Sequence, residues 1–422
     1  MATITIAQAS CADDYDPDSM PVAKARAFIF QFLEPVRSTL RLPIRSALGR
    51  VLAEDVVSPV DVPSHRNSAM DGWAVRSADL DAAAQTTLAE IGASFAGRPY
   101  GGRVGAGQCV RIMTGGVVPE GADTVVMQER AKANATSITF APGQKPGQNV
   151  REAGEDLARG SIALARGRRI RPAELGLIAS LGIGEVSVYR PLRVAFFSTG
   201  DELKSVGTTL GEGEIYDSNR YTLHGMLTRL GCEVLDMGVV RDDPALLERA
   251  FREAAANADV VITSGGVSVG EADFVKPMLA KLGEVVFWKI AMKPGRPLAY
   301  GKIGGAHFFG LPGNPVSVMA TFYQFVRDAL LILMGAHPVE PVPTFKAVCT
   351  AHLKKAPGRT EFQRGILTPA ADGSWTVRPT GEQGSGILKS MSDANCFIIL
   401  GDATGNVAAG ATVDVQLLEG VV

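Results

Sequence analysis

The chain has 422 residues, 46% of them hydrophobic and 20% charged; this is the balance of a globular protein, and the length exceeds one ordinary core, so two to four domains are expected. Its 42 Lys and Arg stand against 44 Asp and Glu, a net charge of −2, which gives no global electrostatic case for nucleic acid or a membrane surface and makes any anion site a local one. Five cysteines, at 11, 109, 232, 349 and 396, include no C-x-x-C pair, so neither a disulfide framework nor a thiolate metal centre is indicated and a reducing, cytoplasmic setting is expected.

The first twenty residues carry four aspartates and lack the basic start and apolar run of a signal peptide; they read as a flexible acidic extension. No segment reaches the roughly 18 uninterrupted apolar residues of a membrane span. From Val22 to about Val57 a helix and then a second, short helix are expected, with Gly49 as a cap. Residues 61–154 are glycine-rich and β-like, with "GWAVRSADL", "CVRIMTGG" and "TVVMQERA" as short strands. A turn-rich piece then leads to a helix at about 172–181. If that helix returns to the first one, residues 21–60 and 155–191 make one discontinuous, elongated domain around a small β-rich one.

Over 192–338 strands and helices alternate, which implies a doubly wound, mostly parallel sheet. "RVAFFSTG", "CEVLDMGVV", "DVVITSGG" and "EVVFWKIAMKPG" read as strands and "PLAYGKIGGAHFFGLPG" as a hairpin. Ser218 to Leu230 is a helix with Leu223, Met226, Leu227 and Leu230 on one face. Asp243 caps a second helix, with Pro244 at its first position and Leu246, Leu247, Ala250, Phe251 and Ala254 facing inward. A long helix opens at Pro315, with Val318, Phe322, Phe325, Ala329 and Leu333 on one side. Residues 339–422 begin with a proline-stiffened linker and continue as short alternating strands, "TFKAVCTAHL", "SWTVRP", "CFIIL" and "TVDVQLL", a small C-terminal β-barrel or sandwich.

Ligands of open parallel sheets bind at the carboxyl ends of the strands, and here the loops at those ends are polar. The first carries Asp201 and Glu202, the second Arg241, Asp242 and Asp243, the third Ser264, Gly265, Gly266 and then Asp273, the fourth Lys289, Lys293 and Arg296. Taken singly, Asp243 is a helix cap, the lysines are solvated surface, and the double glycine is a tight turn whose spacing matches neither the dinucleotide nor the P-loop motif. Together they suit a phosphorylated substrate held by Lys and Arg, with Mg²⁺ bridging it to the acids. "LPGNP" opens the long helix, and Pro312 and Pro315 stiffen a wall beside that edge.

With those residues in view the chain resembles the molybdopterin molybdenumtransferase family, to which the C-terminal domain of gephyrin is related. The motifs are "NSAMDGWAV" (67–75), "RIMTGG" (111–116), "GED" (154–156), "FSTGDEL" (197–203), "YDSNR" (216–220), "RDD" (241–243), "SGGVSVGEAD" (264–273), "KPGRP" (293–297) and "LPGNPVS" (311–317). The resemblance implies four domains: the discontinuous one, the β-rich one, the molybdopterin-binding α/β domain and the C-terminal barrel. It implies that molybdate enters adenylylated molybdopterin with release of AMP and a divalent ion such as Mg²⁺. Glu202, Asp242 and Asp273 would be catalytic and hold the metal or a water. Ser264, Gly265 and Gly266 would hold the phosphate end of the pterin, and Lys289, Lys293 and Arg296 its phosphate or the molybdate; Ser385 would be a substrate contact from the last domain. Asp71 and Thr114 would come from the β-rich domain of the other subunit of a homodimer, and Asp156 is assigned by the same likeness. An upstream adenylyltransferase and acceptor molybdoenzymes are the implied protein partners.

Ser64, His65 and Arg66 stand where relatives usually have a proline, an aromatic residue and an acid, and Trp73 replaces the more usual tyrosine. These departures bear on the surface beside Asp71. Three alternatives compete with this reading, the weakest being a pure molybdate sensor, against which the retained carboxylates speak. The preceding step, adenylylation of molybdopterin, uses a motif like S-G-G-T-G in an enzyme without the β-rich and C-terminal domains. A gephyrin-like scaffold would bind partner proteins without needing molybdate insertion.

Overall fold

The computed structural model describes residue 6, residues 19–266 and residues 275–418. Its centre is one six-stranded sheet of β1 (Arg193–Thr199), β2 (Glu233–Val240), β3 (Val260–Ser264), β4 (Gly283–Lys289), β5 (Pro297–Ile303) and β6 (Ala306–Leu311), in the order β2-β1-β3-β6-β5-β4. Neighbours β2, β1, β3 and β6 are parallel, whereas β5 runs antiparallel to both β6 and β4. Two reversals cancel, so β4 points the same way as β3 and delivers Lys289 to the same edge.

Four helices cover the sheet: α1 (Ser218–Leu230), α2 (Pro244–Asn257), α3 (Val275–Leu282) and α4 (Pro315–Leu333). Successive strand side chains point to opposite faces, and both faces are buried. Val194 and Phe196 pack with Leu223 and Leu227 of α1 and Val318 and Phe322 of α4. Ala195 and Phe197 pack with Leu247 and Phe251 of α2 and Leu279 of α3. Each large side chain so buried contributes roughly 1.5–3 kcal/mol, and β3 accordingly opens with three consecutive apolar residues, Val260, Val261 and Ile262.

The Asp217 carboxylate starts α1 by accepting from the Arg220 N–H at 3.1 Å, and Gly231, at φ 89°, ends it. The expected face of Leu223, Met226, Leu227 and Leu230 is buried. Asp243 caps α2 by accepting from the N–H groups of Ala245 and Leu246. Leu247, Ala250, Phe251 and Ala254 face inward as expected, but Leu246 is 38% exposed, because it sits about 100° round the helix from Leu247. α4 is the one helix among the described residues long and apolar enough to cross a bilayer. It is a core helix: beyond the expected stripe, Val316, Ala320, Val326 and Leu330 are also buried. Over Phe322–Val326 it widens into a π turn.

The helix Val22–Phe30 docks on this unit, with Phe28 edge-on to Trp288 at 5.1 Å between ring centroids and Arg26 paired with Asp328 of α4. The expected second, short helix is a single 3-10 turn over Ile44–Ala47, with Gly49 at φ 79° just past its end, and it is preceded by an unexpected strand, Thr39–Pro43. The strand pairs with Glu185–Tyr189, and Val56–Val57 pairs with Ile162–Leu164, so the segments before and after the β-rich region are joined by two strand pairings. The helix Pro172–Ser180 packs beside Ala47, its Ile178 sharing a cluster with Leu181 and Val188. It does not return to Val22–Phe30, whose Phe28 and Ile29 belong to the core of the central sheet.

The β-rich region is a six-stranded sheet ordered Thr124–Met127, Gly72–Val75, Gln108–Ile112, Thr86–Ser94, Ser137–Phe140 and Ala131–Asn134. At the C-terminus, Thr360–Pro369, Trp375–Pro379, Thr344–Cys349, Thr412–Leu417 and Cys396–Leu400 pair in that order, and the last returns to the first. The result is a closed five-stranded barrel around Ala347, Val377, Ile398 and Val415. The chain is thus a multidomain α/β and β protein.

Candidate active site at the carboxyl edge of the sheet

In the order β2-β1-β3 the connections leave β1 and β3 toward opposite faces, opening a crevice at their carboxyl ends. The turn after β3 fills one side of it. Gly265 and Gly266 have φ of 90° and 69°, and a Cβ on Gly265 would stand 2.6 Å from the Thr199 carbonyl oxygen. Only glycine allows this turn to lie so close against β1. The Gly265 N–H donates to the Leu311 carbonyl at 3.0 Å, tying the turn to the end of β6.

The β1 and β2 loops meet through Asp201, whose carboxylate accepts from the Asp242 N–H at 3.4 Å. Glu202 is exposed, and its carboxylate folds back over Gly200. Neither acid starts a helix: the chain after β1 makes a small parallel pair, Leu203–Lys204 with Ile215–Tyr216. Asp273, the third expected acid, lies outside the described residues. Among the described residues no three carboxylate, imidazole or thiolate groups gather into a metal site. The donor types on this edge are nonetheless all oxygen, which suits a hard ion such as Mg²⁺ better than a softer metal.

Ser264 is buried; its hydroxyl accepts from Asn219 Nδ2 at 2.8 Å and lies 3.5 Å from the Pro312 carbonyl. Pro312 is buried and Pro315 half-buried in the turn that opens α4. The Val316 N–H donates to the Ser385 carbonyl at 3.1 Å, so the barrel loop does reach this edge, through its main chain. The basic segment is brought to the same edge but farther along it. At about 4.8 Å per strand, the start of β5, next to Arg296, is roughly 10 Å from β3, and Lys289 at the end of β4 is roughly 14 Å away. Lys293 extends a barrel edge, Met292 and Lys293 pairing with Thr360 and Glu361. Its ammonium lies 3.4 Å from the buried Glu361 carboxylate.

Asp71 and Thr114 form a second group, with Asp156 on a segment that leads away from it. One oxygen of the Asp71 carboxylate accepts from both the N–H and the hydroxyl of Thr114, each at 2.8 Å. Those two bonds, the N–H first, hold its pKa below the ordinary carboxylate value, and the Arg111 charge lowers it further. The Gly115 N–H donates to the Ser68 carbonyl, and Val150–Arg151 pairs with Asn67–Ser68. Asp156, exposed, follows on that segment, its N–H donating to the Val62 carbonyl at 3.0 Å.

Two residues were not singled out as site residues in the sequence. Asn219 lies inside the "YDSNR" motif (216–220) but taken singly reads as one polar residue on a helix, yet it bridges two turns of the edge. Arg364, 1% exposed, donates to Ser390 Oγ and the Gly384 carbonyl, both at 2.9 Å, and so holds the loop that carries Ser385; burial lowers its pKa to about 10. Four buried oxygens at the edge, Ser198 Oγ, Thr199 Oγ1, Asp217 Oδ2 and Asn219 Oδ1, have no hydrogen-bond partner among the described residues.

A doubly wound unit with polar loops at its switch point, joined to a β-rich sheet and a five-stranded barrel, defines the class: a multidomain α/β and β protein with its candidate site at the carboxyl edge of the sheet. Residues 20–182 match the family model for the MoeA N-terminal region (domain I and II), 195–331 that described as "Probable molybdopterin binding domain", and 346–418 that for the MoeA C-terminal region (domain IV). The chain is 48% identical over 394 residues to the molybdopterin molybdenumtransferase of Haemophilus influenzae, covering 93% of this chain and 97% of the relative. It is 36% identical over 385 residues to molybdopterin molybdenumtransferase 2 of Mycobacterium tuberculosis, covering 89% and 94%. Among solved structures, the molybdopterin biosynthesis moeA protein of Pyrococcus horikoshii OT3 superposes with a TM-score of 0.81 at 29% identity, over 95% of this chain and all of that one. The chain belongs to the molybdopterin molybdenumtransferase family.

Proposed function

We propose that the protein is a transferase of molybdenum cofactor biosynthesis that inserts molybdate into adenylylated molybdopterin and releases AMP. The carrying observation is the edge itself: a glycine turn and carboxylate loops at the β1/β3 crevice, with Lys289 and Arg296 on the same edge roughly 10–14 Å along the sheet. That separation suits a long ligand with a phosphate at more than one point, as a nucleotide-linked pterin has.

In this reading the backbone of Ser264–Gly266 and the wall of Pro312 and Pro315 seat one phosphate end. Lys289, Lys293 and Arg296 hold the other phosphate or the molybdate, and Ser385 closes the side nearest the barrel. Glu202, Asp242 and Asp273 would hold Mg²⁺, and a carboxylate among them orients the water that attacks phosphorus. The bond broken is the phosphorus–oxygen bond of the pyrophosphate link; water supplies the oxygen, its proton passes to a carboxylate, and AMP leaves. Mg²⁺, when bound, supplies neutralisation of the phosphoryl charge. The exposed dithiolate then offers soft sulfur ligands to molybdenum.

The same proposal includes a four-domain division at 21–60 with 155–191, 61–154, 192–338 and 339–422, corrected in that the helix Val22–Phe30 packs on the α/β unit, and a homodimer in which Asp71, Thr114 and Asp156 complete the partner's site. It also includes a cytoplasmic location, supply by an upstream adenylyltransferase and delivery to acceptor molybdoenzymes. The test mixes purified protein with adenylylated molybdopterin, molybdate and Mg²⁺ and measures AMP against molybdenum-bound product, expected one to one. Glu202→Gln should fold normally and lower AMP release at least about a hundredfold, since it removes a charge and no packing group. Normal turnover in that variant would remove Glu202 from the mechanism.

A further inference from the structure

We infer that Asn219 is a positioning residue that locks together the two turns forming the ligand crevice. Its side-chain amide has two N–H donors on one nitrogen, and both are used. One reaches Ser264 Oγ at 2.8 Å, at the start of the glycine turn; the other reaches the Gly313 carbonyl at 2.6 Å, in the turn that opens α4. The two turns lie against each other here, a Cβ on Gly313 standing 3.8 Å from the Gly265 Cα. Asn219 is 7% exposed, so water competes little for these bonds. It lies two residues after Asp217, whose carboxylate starts α1, which fixes where the amide stands relative to the sheet. The Val316 N–H, three residues past Gly313, holds the barrel loop at Ser385, so one amide links α1, the β3 turn, the α4 turn and, through it, the barrel.

The unpartnered oxygens support a functional rather than a packing origin. Asn219 Oδ1, Asp217 Oδ2 and Ser198 Oγ are all buried without partners among the described residues. A site selected for stability alone would replace such groups by apolar ones, because each unmade bond is costly. An Asn kept here for its two donors has to bring an acceptor with it.

The inference rests on the proposed ligand edge, and its test separates the two. Asn219→Asp keeps the shape and removes both donors; Ser264→Ala removes one acceptor. By hydrogen–deuterium exchange without substrate, Asn219→Asp should speed exchange at least about tenfold in both turns, around 264–266 and 311–316, while β1 and α2 stay protected. Ser264→Ala should do so mainly around 264–266. With adenylylated molybdopterin, Asn219→Asp should raise KM by roughly 10- to 100-fold with kcat within about threefold, since loosened turns lose binding made equally in ground and transition states. Unchanged exchange at either turn in Asn219→Asp, or faster exchange with unchanged KM, would overturn the inference. If Asn219→Asp does not fold, unchanged exchange in Ser264→Ala would do the same. A wild-type protein that does not turn over the adenylylated pterin would sink the proposed function, and the exchange result would still decide whether Asn219 couples the turns.

Discussion

Glu174 shows how much a single side chain can carry. Its side chain is 5% exposed, and one oxygen accepts from Arg168 and Arg171, each at 2.8 Å. The Arg171 bond leads in drawing its pKa from 4.5 down to about 2, with Arg168 also lowering it against the opposing effect of burial. A carboxyl with a depressed folded-state pKa contributes stability above its unfolded value, and that contribution fades as pH falls through the folded one. Glu174→Gln should therefore cost roughly 1–2 kcal/mol at pH 7, less than the full shift because both arginines face solvent, and the gap in Tm from the wild type should narrow between about pH 4.5 and pH 2. A gap independent of pH over that window would mean packing, not charge, is what the substitution removes. The Asp71–Thr114 pair makes a different point at this scale. The residues are 43 apart, and alone they read as a turn and a strand end. Antiparallel pairing of Gly72 with Ile112 brings them together, and that register is a property of the sheet rather than of either motif.

At the scale of elements, the α/β unit was legible because its strands are buried on both faces and its helices have caps. Asp217, Asp243 and Gly231 stand where the rules for helix ends place them. The ten-residue strand Thr360–Pro369 was not legible. It buries Glu361, Gln363 and Arg364, and internal bonds to Lys293, the Lys354 carbonyl and Ser390 make polar residues acceptable where a pattern search expects apolar ones. The short strand Thr39–Pro43 was missed for the opposite reason: it is largely exposed and has no core face to print on the sequence. The glycine turn after β3 was visible as a turn, but its contact with Thr199 was not. Gly265→Ala adds a Cβ 2.6 Å from a carbonyl oxygen in a backbone region that alanine avoids, so it should cost about 1–3 kcal/mol or displace the turn. Calorimetry together with substrate titration distinguishes these: displacement predicts weakened binding with little change in Tm. A variant with native Tm and native affinity would show that the turn has more room than this geometry allows.

For the whole molecule, the proposed function asks how the Asp71–Thr114 pair and the edge loops, which lie in separate bodies, would serve one site. Within the chain, the bonds of Asp71 and Thr114 run to each other, while the edge loops carry their own network. Near that edge Val206, Ile215 and Tyr221 are 52%, 53% and 51% exposed, apolar side chains of the kind an interface covers. In the proposed dimer, the β-rich region of a second copy would cover them and bring Asp71 to the crevice. If so, every site draws on both subunits, and defects on opposite sides must complement. A dimer of Asp71→Ala with Glu202→Ala carries one site with both lesions and one with neither. Mixing the two inactive proteins in equal amounts, with time for subunit exchange, should restore roughly a quarter of wild-type AMP release, because half the dimers are mixed and half of their sites are intact. Sites built within single subunits would stay inactive at every mixing ratio, so absence of rescue, with exchange verified by a tag, would confine the chemistry to one chain.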